Sequence, residues 1–179
     1  QGDFERALNK PLHFQGTFYF RKTYADFPNP ILRLGSLGHI GLPLSSREAK
    51  HVIAQCVQAP FGKGERTLVD INVRDTWEMD ASQIHFDNSA WGTFMGQVTE
   101  EVCLKLGLVA KQASTVRCEP YKLLLYETGS HFLPHQDTEK AKGMFATVVV
   151  VLPSSFQGGA AHLLHGDLST VIGSSHSLS

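Results

Sequence analysis

The sequence predicts an α+β fold in which two amphipathic helices precede a run of short strands. Three observations carry that prediction. Ser45-Ser46-Arg47-Glu48 opens an apolar repeat of helical period, with Ala49, Val52, Ile53, Cys56 and Val57 on one face. A second repeat, Trp91, Phe94, Met95, Val98, Val102 and Leu106, begins behind Asn88 or Ser89 and stops at Gly107. From Tyr121 onward, short apolar runs alternate with Gly, Pro and polar turns, which is the pattern of an all-β region.

Taken in order, Phe14 to Tyr24 is aromatic-rich and partly alternating, as a strand requires. Pro28, Pro30, Gly35, Gly38, Gly41 and Pro43 then mark a loop region. Residues 1–44 are therefore read as an N-terminal strand and loop region, and 45–179 as helices followed by strands. The first helix is expected from Ser46 to Gln58, with Ser45 as N-cap and Glu48 reaching back. Pro60, Gly62 and Gly64 end it. Thr67 to Trp77 suits an extended segment. Tyr121–Tyr126, Met144–Leu152 and Ala160–Leu164 suit strands, and the Val148–Val151 block is too β-branched to prefer helix.

Composition narrows the function classes. The chain has 179 residues, 42% of them hydrophobic and 18% charged, enough to bury a core. Its 16 Lys and Arg against 17 Asp and Glu leave a net charge of −1. That balance offers neither nucleic acid nor an anionic membrane an electrostatic footprint. No apolar run approaches the ~20 residues of a spanning helix. Three cysteines without a CxxC suggest reduced thiols rather than a disulfide framework or zinc knuckle. No basic-then-apolar leader follows Gln1, so the expectation is an intracellular domain of cytoplasm or nucleus.

One constellation can carry chemistry. In His135-Gln136-Asp137 an imidazole and a carboxylate stand two apart, so on an extended chain both point to one face and can reach one cation. Completed by a second His, such a pair is the facial triad of non-haem Fe(II) oxygenases. The spacing also occurs at His85-Phe86-Asp87 and His165-Gly166-Asp167, and context separates the three. Asp87 and Asn88 are read as capping residues of the second helix. His165-Gly166-Asp167 is read as a β-turn. His135-Asp137 alone lies between a strand and a second apolar run, with Pro134 forbidding a helix through it. A surface turn remains the alternative reading of the bare triplet.

The stretches YKLLLYETGSHFLPHQDTEK and GMFATVVVVLPSSFQGG resemble the Fe(II)/2-oxoglutarate-dependent oxygenases, and within them the prolyl 4-hydroxylase-like group. The resemblance runs from about Tyr121 to Gly166. GKGERTLVD and NVRDTWEMD are similar, more loosely, to fungal members. It implies N-terminal helices packed on a partial double-stranded β-helix, a jelly-roll type of fold. It implies His135 and Asp137 as Fe(II) ligands and Tyr126 as a contact to the co-substrate 2-oxoglutarate. The activity implied is hydroxylation of a C–H bond, with prolyl residues the acceptor of the nearest relatives. It names no particular protein or small-molecule substrate.

The family pattern adds a second His on a late strand, then a basic residue for the distal carboxylate of 2-oxoglutarate. Only 44 residues follow His135, the last Lys or Arg is Lys142, and His162, His165 and His176 stand early. The expectation is therefore a domain incomplete before those two residues, and the alternative is a non-catalytic jelly-roll binding or interaction module. A zinc hydrolase is disfavoured, since no HExxH is present. Other residues have plainer readings beside the functional one. Tyr126 can simply pack a strand, and His131 reads as a solvated loop residue. Trp77, Trp91, Phe94 and Met95 read as core rather than substrate groove, while Lys63, Arg66 and Arg74 suit equally the steering of an acidic substrate and a solvated face.

Overall fold

The computed structural model describes residues 16–63 and 66–173. Among them are three helices and five small antiparallel sheets, none closed on itself, which agrees with the α+β prediction at that level. The chain divides into two compact units, one of residues up to Phe27 with Thr93–Cys118, the other of Pro28–Gly92 with Glu119 onward.

The larger unit is organised by two three-stranded sheets. The first has the order β2-β1-β8, with β1 at Leu32–Leu34, β2 at Gly38–His39 and β8 at Ile84–Phe86. The loop expected over 28–43 thus contains two strands. Gly35 and Gly38 adopt positive φ of 37° and 79° and turn the chain back on itself, so a cluster that reads as loop is a hairpin. The second sheet has the order β3-β7-β9, with β3 at Val57–Gln58, β7 at Trp77–Asp80 and β9 at Lys122–Leu125. Leu32, Leu34, Met79 and Val52 form the buried centre, and Leu123, Leu125 and Leu152 pack around it.

Val52 comes from α1, Ser46–Ile53. The expected capping box is present: Ser45 Oγ accepts from the Glu48 amide at 3.2 Å, and Glu48 accepts from the Ser45 amide and hydroxyl. Glu48 also accepts from the Gly41 amide, and these donors, Gly41 first, hold its carboxyl below the usual range. The helix is shorter than expected. Val57 and Gln58 pair with Glu78 and Trp77, and those ladder bonds capture the residues that helical spacing had assigned to the last turn.

Thr67–Trp77 is likewise divided. β4 (Phe61–Lys63) pairs with β5 (Arg66–Leu68), a turn follows, and β6 (Arg74–Asp75) leads into β7. In the C-terminal region β11 (Ala161–His165) and β12 (Leu168–Ile172) make a hairpin through Gly166-Asp167, as expected. Met144–Leu152, by contrast, carries no ladder. β propensity is largely a preference for packing beside a partner strand, and among the described residues none pairs here. Val149, Val150 and Val151 are exposed, while Leu152 reaches the core.

Asp87 differs from its expected capping role. It receives Arg33 Nε at 2.7 Å and Arg33 Nη2 at 3.1 Å, and lies 2.9 Å from His39 Nε2. Hydrogen bonds from Arg33 and then His39 pull its carboxyl down to about 2. Asn88 does the capping, its Oδ1 accepting from the Ala90 amide at 3.0 Å.

The helix so started is α2, Ser89–Lys105. It ends as expected on Gly107, whose φ is 96°. Leu108 N–H reaches Cys103 O and Gly107 N–H reaches Leu104 O, a Schellman closure. Within the smaller unit the chain before Phe27 is no strand over its described residues; Phe14 lies outside them. It follows α2 instead. Thr17 N–H donates to Lys105 O, Lys22 pairs with Glu101 at 2.8 Å, and the Tyr24 ring meets Phe94 edge-on at 5.3 Å. The Tyr24 hydroxyl donates to Glu101, and burial followed by that carboxylate pushes it up to about 12. A short α3, Ala110–Ala113, completes this unit. All three cysteines are free, and no helix among the described residues is long and apolar enough to cross a membrane.

Two outcomes follow. Leu34→Ala empties a site that is 1% exposed, and loses about 2–5 kcal/mol in urea unfolding. Asp87 is depressed in the folded state, so its contribution is present above the unfolded carboxyl value and lost as pH falls through about 2. Asp87→Asn therefore flattens the stability profile of acid unfolding between pH ~4 and ~2.

Candidate metal centre

His135 and Asp137 are placed by the turn that follows β9. Ser130 N–H donates to Glu127 O and Ser130 Oγ accepts from the Glu127 amide, while Gly129 takes a φ of 87°. β10, His131–Phe132, then pairs with β6, setting His131 opposite Asp75 and Phe132 opposite Arg74. The Leu133 amide continues the pairing to Val73 O at 2.9 Å, and Pro134 prevents its further extension.

The two side chains converge. His135 Nδ1 lies 2.9 Å from Leu133 O. A carbonyl only accepts, so this contact places a proton on Nδ1, and in the neutral imidazole the lone pair then lies on Nε2. Nε2 is 3.6 Å from Asp137 Oδ1. Two donors at ~2.1 Å from one cation and at right angles stand ~3.0 Å apart, so the pair is slightly open for that geometry and close enough to share an ion. The other oxygen, Oδ2, accepts from Thr147 Oγ1 at 2.8 Å, which leaves Oδ1 on the side of the imidazole. Both side chains are about half exposed. An imidazole nitrogen and a carboxylate oxygen are two of the three donors of the facial triad, and among the described residues no third joins them.

The imidazole has a further neighbour. The Phe132 ring stacks on it with centroids 3.6 Å apart and planes at 19°. Arg74 Cζ lies 4.5 Å from the centroid of the same Phe132 ring. A ring stacked so closely leaves no room on its own face, so the guanidinium occupies the other. Arg74 is not on a solvated face, one of the two readings its sequence context allowed; pairing of β6 with β10 draws it under Phe132, and its side chain is 11% exposed.

Beneath Arg74 lies a buried carboxylate. Glu78 is 9% exposed, its Oε1 accepts from Lys122 Nζ, and its Oε2 is 3.9 Å from Arg74 Nη1. The second separation is an ion pair too long for a hydrogen bond, which leaves Oε2 without a hydrogen-bond partner. Arg74 Nη1 donates instead to Pro60 O at 2.6 Å.

Tyr126 follows β9 directly and is 51% exposed. Strand alternation sets it on the face of Lys122 and Leu124, opposite the core-facing Leu123 and Leu125. Among the described residues no hydrogen bond or ring contact joins it to His135 or Asp137. His131 sits on a strand rather than a loop, its Nε2 3.1 Å from Asn72 O and its Nδ1 3.4 Å from Gly129 O, apart from the pair. His85 lies in β8, His162 and His165 lie in the β11–β12 hairpin, and His176 lies outside the described residues. Among the described residues no third His, Cys, Asp or Glu joins the two.

Trp77 donates its indole N–H to Glu127 Oε2 at 2.6 Å, and Trp91 is 5% exposed beside Phe86. Phe94 and Met95 are half-buried along α2. A cleft of about 610 Å³ opens instead beside β5 and the turn after it, lined by Phe61, Leu68, Val69, Asp70, Ile71 and Val73. The side chains of Lys63 and Arg66 lie outside the described residues. Sequence reasoning missed Phe132, Arg74 and Thr147 as neighbours of the pair. The one signal available was the position of Phe132 three residues before His135.

Comparison of the chain with family models, with curated proteins and with solved structures finds no match.

Glu78→Ala leaves the buried guanidinium of Arg74 and the ammonium of Lys122 without their anion. It lowers stability by about 3–5 kcal/mol, read from denaturant unfolding.

Proposed function

We propose that the chain is an Fe(II)- and 2-oxoglutarate-dependent oxygenase domain of the prolyl 4-hydroxylase-like group, built on a jelly-roll. The observation that carries the reading is the convergence of His135 Nε2 on Asp137 Oδ1 at 3.6 Å, with Nδ1 turned to the Leu133 carbonyl. In such a domain bound Fe(II) supplies the oxidising chemistry that couples decarboxylation of 2-oxoglutarate by O₂ to hydroxylation of a substrate C–H bond.

The chain's own part is to hold and orient. His135 offers Nε2 because the Leu133 carbonyl keeps the proton on Nδ1. Asp137 offers Oδ1 because Thr147 engages Oδ2. Tyr126, exposed on the sheet face away from the core, offers a phenol hydroxyl that can donate to a carboxylate of 2-oxoglutarate. The apolar cleft beside Val73 adjoins the strand pair that carries the site, since Val73 O accepts from Leu133, and it offers a seat for a substrate side chain. The acceptor class implied by the resemblance is a prolyl residue.

A second reading, a non-catalytic jelly-roll binding module, is favoured by one observation: only two metal donors converge among the described residues. Labelled CO₂ release from 2-oxoglutarate, with Fe(II) and ascorbate, separates the two. The oxygenase reading expects metal-dependent release that His135→Ala or Asp137→Ala reduces by at least ~100-fold. It also expects Tyr126→Phe to raise the KM for 2-oxoglutarate with Mn(II) affinity unchanged. Fe(II) binding at His135 and Asp137 without any turnover supports the binding module and overturns the oxygenase.

A further inference from the structure

We propose that Phe132, clamped by Arg74, is a positioning residue of the metal centre that fixes the plane of the His135 imidazole. The inference rests on the metal reading of His135 and Asp137. The hydrogen bond from Nδ1 to Leu133 O is local, spanning two residues, and by itself leaves the ring free to tilt about that contact. The Nε2 lone pair lies in the ring plane, so any tilt swings it away from Asp137 Oδ1. Phe132 removes the tilt, because its ring lies 3.6 Å from the imidazole and within 19° of parallel.

Phe132 is in turn held from behind. The Arg74 guanidinium covers its other face at 4.5 Å and is itself fixed by Pro60 O and by the charge of Glu78. The backbone supports the same arrangement, since Phe132 and Arg74 are register partners of β10 and β6. A continuous line of contacts thus runs from a buried carboxylate on β7 to the imidazole whose Nε2 would hold the metal. Support behind a ligand of this kind is worth about 10–100-fold in metal affinity.

The test uses the whole chain and Co(II) alone, titrated by its visible absorption, with thermal unfolding recorded for each variant. Phe132→Leu and the volume-conserving Phe132→Met both remove the flat face. Each is expected to weaken Co(II) binding by about 10–100-fold and to alter the band positions of what remains bound. Phe132→Tyr restores the face and is expected to bring back both affinity and spectrum. A purely structural role for Phe132 moves the melting temperature without moving the Co(II) bands. Wild-type affinity and bands in a folded Phe132→Met chain, with His135→Ala abolishing binding, overturn the positioning role and leave the metal centre standing. Unchanged Co(II) binding in His135→Ala overturns the metal reading, and this proposal with it.

Discussion

A buried carboxylate on the middle strand of a sheet sets the terms for the region around the candidate centre. Glu78 gives up most of its water, and a charge so placed persists only with cations close by. Lys122 from β9 supplies a hydrogen bond, and Arg74 from the end of β6 supplies a second positive charge. Balancing the charge of one side chain thus ties three strands at specified residues. Because Arg74 then has a fixed place, so does the ring stacked on it, and so does the imidazole beyond.

Strand β7 works through both of its faces. Met79 points into the apolar centre with Leu32, Leu34 and Val52, while Glu78, its neighbour, points to the opposite face. A slip of one residue in the pairing of β7 with β9 exchanges the two, burying an unpaired carboxylate in the core and exposing the methionine. The register that builds the core therefore also brings the ion cluster under the site, and stability and site geometry are specified together.

What was legible in the sequence was local. Ser45 and Glu48, Asn88 and Gly107, and the Gly166-Asp167 turn each act on backbone groups a few residues away, so their chemistry shows in the order of residues alone. The convergence of His135 and Asp137 was legible for the same reason, as a spacing of two. The support behind that pair was not. Phe132 meets Arg74 only because β10 pairs with β6 across a long separation in sequence. Thr147 reaches Asp137 from within a run that reads as strand and forms no ladder. The strands at Leu32 and Gly38 were hidden under glycines that mark a hairpin turn as readily as a loop. Val57 kept helical spacing while obeying β7. That hairpin apart, a partner well outside the local window decided, and single-sequence periodicity carries no record of such partners.

The bare valines after Thr147 have a consequence of their own. From Phe145 to Leu152 no proline and no charge interrupts the chain, and Val149 is 77% exposed. Its guards stand at its ends, Lys140 and Lys142 before it and Pro153 directly after it, where a charge or a missing amide interrupts pairing with another extended segment. Those flanking residues, rather than a partner strand, are then what this apolar run has to keep it from pairing out of place.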